Sequence, residues 1–239
     1  MSVEFIPAAR VRDLVERLQA ARQRAVDQCG PPAAGAASAE YWELLFERNA
    51  AEVMATVPAV TLPAGFVVRY RFFGMRERDL LVRPFVARAA TDVDTVRRLL
   101  DWHAPPDSQP AGAAAGYAGD VELLYRHFEF PRTALGYFEY WLVLQELWAS
   151  QRWAHAHLIA SASELSQITG GPGWEVIEPV QVYEPAVVLA GAGARLAVLV
   201  ESPLERFAIH LEQIDIGLDQ SIRYAPRVLV ASGPKGYFV

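Results

Sequence analysis

A chain of 239 residues with a formal net charge of −6 can form one large domain or two small ones, and it buries about 70–75% of its unfolded surface without staples. The negative balance argues against nucleic acid held through bulk electrostatics, because phosphate neutralisation needs a surplus of Lys and Arg; only the arginines of residues 69–88 make a local exception. A single cysteine, Cys29, excludes an intramolecular disulfide and a cysteine-built zinc site, and nothing beside it in sequence marks it as reactive.

The segment Met1-Ser2-Val3-Glu4-Phe5-Ile6-Pro7 lacks a basic region followed by an apolar core, so no secretion signal is expected. The densest apolar stretch, Tyr137–Trp148, is cut by Glu139 and Glu146, and no uncharged run of about 18 apolar residues exists. The expectation is a bacterial-type cytoplasmic protein without a membrane partner.

Pro7–Gln28 reads as an amphipathic helix. Val11, Leu14, Val15, Leu18 and Ala21 follow helical spacing, and Gly30-Pro31-Pro32 forbids continuation. After the linker Pro31–Ala37, Ser38 caps a second helix, Ala39–Val57, with Glu40 in its first turn. Gly65–Arg88 reads as a hairpin. A three-residue loop Gly74-Met75-Arg76 sets Arg71 opposite Asp79, which charge favours over an Arg–Arg pair. That register sends Phe66, Val68, Tyr70, Phe72, Leu80 and Val82 inward and Arg69, Arg71, Glu77, Asp79 and Arg83 outward. Arg69, Arg71 and Arg83 are thereby candidate partner-binding residues, weighed against a solvated, self-paired sheet face.

Thr91-Asp92-Val93-Asp94 carries helix-start chemistry for a helix to about Trp102, with Thr91 as cap. Residues 103–117, rich in proline and in alanine–glycine, mark a subdomain boundary, a mobile loop or a lid within an otherwise single domain. Ala118–Phe128 reads as a short helix. Pro131 then falls in the first turn of Arg132–Trp148, a helix so apolar that it must be covered on most sides. Glu139 and Glu146, seven residues apart, share one side of it. They are either a carboxylate pair for catalysis or the helix's wet stripe, with Arg132 and Arg152 as partners.

Arg152–Ala160 is a strand or a continuation of that helix, and Ser161-Ala162-Ser163-Glu164, a capping-box pattern, favours the strand. As a strand it presents His155 and His157 side by side, a spacing that can chelate a divalent metal. His210, Glu212 and Asp215 are candidates for a third ligand, and exposed or hydrogen-bonded histidines are the plainer alternative. The helix from Ala162 stops near Ile168 at Gly170-Gly171-Pro172-Gly173.

Trp174–Tyr183 and Ala186–Ala190 read as strands broken at Pro179 and Pro185, and Gly191-Ala192-Gly193 turns into a strand over Arg195–Glu201. The Gly-x-Gly is not a dinucleotide fingerprint, because a strand follows where that motif demands a helix. Ser202-Pro203-Leu204-Glu205 has a capping serine, a first-turn proline and a third-position glutamate, so a helix is expected to Gly217. One more strand is expected at Arg227–Ala231.

These elements give an α+β fold: a mixed, mainly antiparallel sheet packed against several helices, with the helix at 132–148 central. Without a phosphate loop, nucleophile elbow or metalloprotease motif, the expected function is interaction with another protein as an inhibitor, adaptor or toxin-neutralising partner, with no cofactor. The alternative is a metal-assisted enzyme or small-ligand binder with a pocket between the aromatic helix and the sheet, its divalent metal on His155, His157 and His210.

Overall fold

The computed structural model describes residues 2–32, 38–76, 79–95, 121–123, 127–148, 157–202 and 206–235. The chain is α+β and forms two compact units, one of residues 1–17, 131–142 and 151–239, the other of residues 18–130 and 143–150. Residues 103–117, the expected boundary or loop, lie outside the described residues. Among those described, no helix is long and apolar enough to cross a membrane.

The first unit is built on an eight-stranded sheet. In chain order its strands are β1 (Val3–Phe5), β5 (His157–Ile159), β6 (Glu175–Val176), β7 (Ala186–Ala190), β8 (Gly193–Ser202), β9 (Arg206–Gly217), β10 (Ile222–Tyr224) and β11 (Val228–Lys235); β2–β4 belong to the second unit. The main path runs β1-β7-β8-β9-β11-β6, with β5 on β8 and β10 on β9. Every pairing is antiparallel, so the expected mixed character is absent from the described strands. Side chains alternate between the faces. On one face Val187, Leu196, Val198, Ile214 and Ile216 are all buried. The opposite face is divided. Arg195 and Asp215 form an exposed pair at one end, while Ile159, Leu199, Ile209, Val230 and Ala231 make a core with Leu165 at the other.

Leu165 belongs to a short helix, Ala162–Thr169, which starts as the capping box requires. Glu164 N donates to Ser161 Oγ at 3.2 Å, while the return bond to Glu164 Oε2, at 2.7 Å, comes from Ala160 N, one residue before the cap. The hairpin at Gly191-Ala192 also forms, with Ala190 opposite Gly193.

The helix expected after Ser202 does not form from Arg206 onward. That segment is β9, the central strand, paired along most of its length with β8 on one side and with β11 or β10 on the other. Residues 203–205, which carried most of the helix-start signal, lie outside the described residues. The segment satisfies two periods at once. Ile209, Ile214 and Ile216 favour a pleated, two-sided environment, and Glu212, Ile214 and Ile216 are buried while Gln213 and Asp215 are exposed. Two flanking strands supply a ladder of backbone hydrogen bonds that no isolated cap can match.

In the second unit β2 (Phe66–Arg76) and β3 (Asp79–Arg88) form a hairpin, and β4 (Val121–Leu123) adds to β3. Within the span Ala118–Phe128, where a helix was expected, Val121–Leu123 is a strand, and residues 118–120 and 124–126 lie outside the described residues. The hairpin register also differs from expectation. The chain runs on through Gly74–Arg76, a shift lies between Phe72 and Met75, and Arg71 stands opposite Arg83, not Asp79. Like charges are tolerated here because a helix supplies the counter-charge. Helix α2 (Ala39–Thr56), capped by Ser38, places Glu43 against Arg71 at 2.9 Å and Glu47 against Arg69 at 2.8 Å. Glu43 also accepts from the backbone N–H of Phe72 at 3.0 Å, which occupies a donor on the unpaired edge of β2. Trp42 stacks on Phe46, and Phe46 packs against Tyr70.

Two helices contribute residues to both units. In α1 (Ala8–Cys29), Val11, Leu14, Leu18, Ala21 and Ala25 are buried at spacings of three and four. The aromatic helix α3 (Ala134–Trp148) starts two residues later than expected, since Thr133 Oγ1 accepts from Gly136 N at 3.1 Å and acts as its cap. Tyr137, Phe138, Tyr140, Trp141, Leu142, Val143 and Leu147 are buried, so the helix is covered on most sides. Asp92, not Thr91, caps the start at 93–95, with Thr95 N donating to Asp92 Oδ1 at 2.9 Å; residues 96–102 lie outside the described residues.

Candidate functional site

The acids on the aromatic helix meet arginines from α1, and Arg152, an expected partner, lies outside the described residues. Arg10 donates to Glu139 Oε1 at 2.9 Å, and Arg22 Nε donates to Glu146 Oε2 at 2.7 Å. Each carboxylate is buried and neutralised within its own unit, which is a structural arrangement, not an acid and a base facing a substrate. Tyr70 is equally unsuited to proton transfer. Its hydroxyl donates to the Leu147 carbonyl at 2.8 Å, and burial beside Glu146 and Glu47 pushes the phenol far above its ordinary value.

The arginines singled out as a partner patch are placed differently from one another. Arg69 and Arg71 are committed to Glu47 and Glu43, and Arg83 is half-buried opposite Arg71.

His155 lies outside the described residues. His157 stands opposite Glu201, in the same row as Ile209, while His210 stands opposite Val200, in the same row as Leu158. Adjacent rows point to opposite faces of a sheet, so the strands do not bring His157 and His210 together. The candidate third ligands are also engaged: Arg227 meets Glu212 at 2.7 Å, and Arg195 holds Asp215 below the usual carboxylate range. Among the described residues, no three His, Cys, Asp or Glu side chains gather in a metal-binding arrangement.

His210 nevertheless has a measurable consequence. Its pKa is lowered by partial burial and by the Arg227 charge. The unfolded chain therefore binds this proton more readily than the folded one, and stability falls as pH drops through about 6.5, the unfolded value. Glu201 acts in the opposite sense. Burial raises its pKa, partly offset by His157, so its penalty is absent below the ordinary carboxylate range and grows as pH rises through the raised value. Urea midpoints measured against pH are expected to show a shallower acid-side decline for His210→Gln than for the parent. An unchanged slope rejects this account of His210.

A concave feature of the first unit lies elsewhere. After β6 the chain would continue as a strand, but Pro179 and Pro185 bracket Val180-Gln181-Val182-Tyr183-Glu184 and interrupt pairing. This segment stands over the sheet and encloses a cavity of about 340 Å³ with Ala197 and Leu199 of β8, Leu211 of β9, and Val228 and Val230 of β11. No residue of the aromatic helix lines it, so the hollow is not the expected cleft between that helix and the sheet. Its floor is apolar, with Leu199 and Val230 buried, while Val182 (46% exposed) and Val228 (44%) stand open on its rim. Glu178 and Glu184 also line it. Glu184 accepts from Ala8 N at 3.2 Å.

The signal for this trough was present in the sequence as two prolines with five residues between them in an alternating segment. What the sequence could not supply was the nearness of Leu199, Leu211 and Val228. No family model matches the chain, and neither a curated protein nor a solved structure is found similar to it.

Proposed function

We propose that this protein acts by binding another protein, and that the trough under Val180–Glu184 is the contact surface. The supporting observation is an apolar hollow whose valines are exposed at the rim, not sealed inside. Val176 and Ile177, just before the segment, are exposed as well and extend the apolar surface beyond the hollow. Contiguous exposed apolar surface costs solubility unless a partner covers it, and a partner that also covers the rim must be larger than the cavity. An inhibitor, adaptor or toxin-neutralising role fits this arrangement, since each needs a surface and none needs reacting groups.

A photo-crosslinking residue at position 182, introduced in the native host, is expected to give one discrete heavier species. The same residue at Glu16, exposed on α1, is expected to give none, and Val228→Asp is expected to diminish the adduct at 182. Absence of an adduct at 182, or an identical one from position 16, rejects the trough as the contact surface.

A further inference from the structure

The trough carries two further features that bear on what fills it, and both concern the segment between the prolines. The first is its backbone. Ile177 N and Glu178 N both donate to the Val230 carbonyl, at 2.8 and 3.1 Å, and pairing resumes only at Pro185, whose carbonyl accepts from Ile6 N at 2.9 Å. Between these points the N–H and C=O groups of Val180–Glu184 make no backbone hydrogen bond to any described residue. Although the run bends at Gln181 and Glu184, its open donors and acceptors beside an apolar floor can pair with a partner's backbone. A compact small molecule would use the cavity and leave this row unpaired.

The second feature is charge. No lysine or arginine occurs between Arg152 and Arg195, whereas Glu164, Glu175, Glu178 and Glu184 do. Glu164 has Arg12 beside it at 3.6 Å. Among the described residues Glu178 has no cationic partner, and Glu184 is engaged by the Ala8 amide. The rim of the trough therefore carries negative charge that meets no cation among the described residues, next to apolar surface.

We infer that the partner presents an extended segment with both apolar and basic residues. It pairs backbone to backbone with Val180–Glu184, seats apolar side chains against Leu199 and Leu211, and sets a lysine or arginine beside Glu178 or Glu184. This inference rests on the reading of the trough as the contact surface. It adds the chemistry of the partner: alternating side chains are sorted by the trough while the open backbone supplies affinity independent of sequence. Charge on the rim steers approach and discriminates against acidic segments.

The test uses a displayed library of short random peptides selected on the full chain. The selected peptides are then synthesised and titrated by fluorescence polarisation against the parent, Val182→Asp and Glu178→Gln/Glu184→Gln. Glutamine at 184 can still accept from Ala8 N, so the double variant keeps its fold. Selected peptides are expected to be enriched in Lys or Arg next to Val, Ile or Leu. Their affinity is expected to fall about tenfold in the glutamine double variant and with salt raised from about 0.05 to about 0.5 M, as screened rim charges require. N-methylation at alternate peptide amides is expected to abolish binding in one register and spare it in the other.

Peptides that need Val182 but ignore both glutamates and salt overturn the basic-segment inference while leaving the trough as the contact surface. Peptides insensitive to N-methylation overturn the added-strand geometry. Peptides indifferent to Val182→Asp, or no selectable peptide at all, overturn the trough reading together with the inference built on it.

Discussion

Glu146→Ala is expected to destabilise the protein by about 3–5 kcal/mol, because it strands a guanidinium that has already lost much of its water. The Glu146 side chain is 2% exposed and that of Arg22 27%. Both Nε and Nη2 of Arg22 donate to this one carboxylate, a two-point contact that leaves the arginine no alternative partner among the described residues. For a chain of this length the loss corresponds to a fall in Tm on the order of 10 °C. Glu139→Ala is expected to cost less, since Arg10 is 40% exposed and also reaches Asp13 at 3.2 Å. The joint replacement Arg22→Leu/Glu146→Leu is expected to recover most of the loss, as apolar pairs of similar volume commonly do in place of a buried ion pair. Urea denaturation of the three variants beside the parent decides the matter. A Glu146→Ala midpoint within about 1 kcal/mol of the parent shows that Arg22 regains solvent freely and that the pair is an ordinary surface contact.

The second large effect is expected at a turn. Gly193 opens β8 with φ at 135°, a conformation that side-chain-bearing residues rarely adopt. A Cβ placed there meets the Ile216 carbonyl oxygen at 2.0 Å and Gly217 Cα at 3.0 Å. Both obstacles are backbone, held by the pairing of β8 with β9, so neither yields by a side-chain rotation. Gly193→Ala is expected to cost about 3 kcal/mol or more, combining backbone strain with displacement of the longest strand pair in the sheet. Gly191, two residues earlier in the same turn, has open space around its Cα. Gly191→Ala is therefore expected to stay within about 0.5 kcal/mol of the parent. Equal urea midpoints for the two alanine variants contradict the close approach of β8 and β9 at this point. Hydrogen exchange offers a second view: amides at the Gly193 end of β8 lose protection in Gly193→Ala before those near Ile159 do.

The trough owes its existence to the same kind of local interruption. Pro179 and Pro185 keep Val180–Glu184 from completing the sheet, so the segment arches over β8 and β11 with its backbone groups unspent. Prolines at a sheet edge usually prevent unwanted pairing. Here they frame five residues whose backbone groups make no backbone hydrogen bond among the described residues. The sheet otherwise ends at β1 and at the two-residue β6, so both of its natural edges are short.

What the sequence determined by itself were the features whose causes lie within one or two turns of the chain. The helices at Ala8–Cys29, Ala39–Thr56 and Ala162–Thr169 start and stop where caps, prolines and glycines dictate, and the apolarity of Ala134–Trp148 alone required its burial. The two-residue hairpin at Gly191-Ala192 and the α+β class were equally local matters. The tertiary structure decided everything that depends on a distant neighbour. The segment after Ser202 has a helix-start sequence, yet from Arg206 it is a strand because β8 and β11 flank it. Arg71 faces Arg83 because Glu43, from a helix near the start of the chain, neutralises it; cross-strand charge counted within the hairpin alone pointed to the wrong register. His157 and His210 fall on opposite faces for the same reason, and the trough gathers residues separated by up to some fifty positions. Capping and helical periodicity are governed by interactions over three or four residues. Strand pairing and ion-pair choice are governed by whichever segments the collapsed chain brings alongside, and that is written in no single stretch of it.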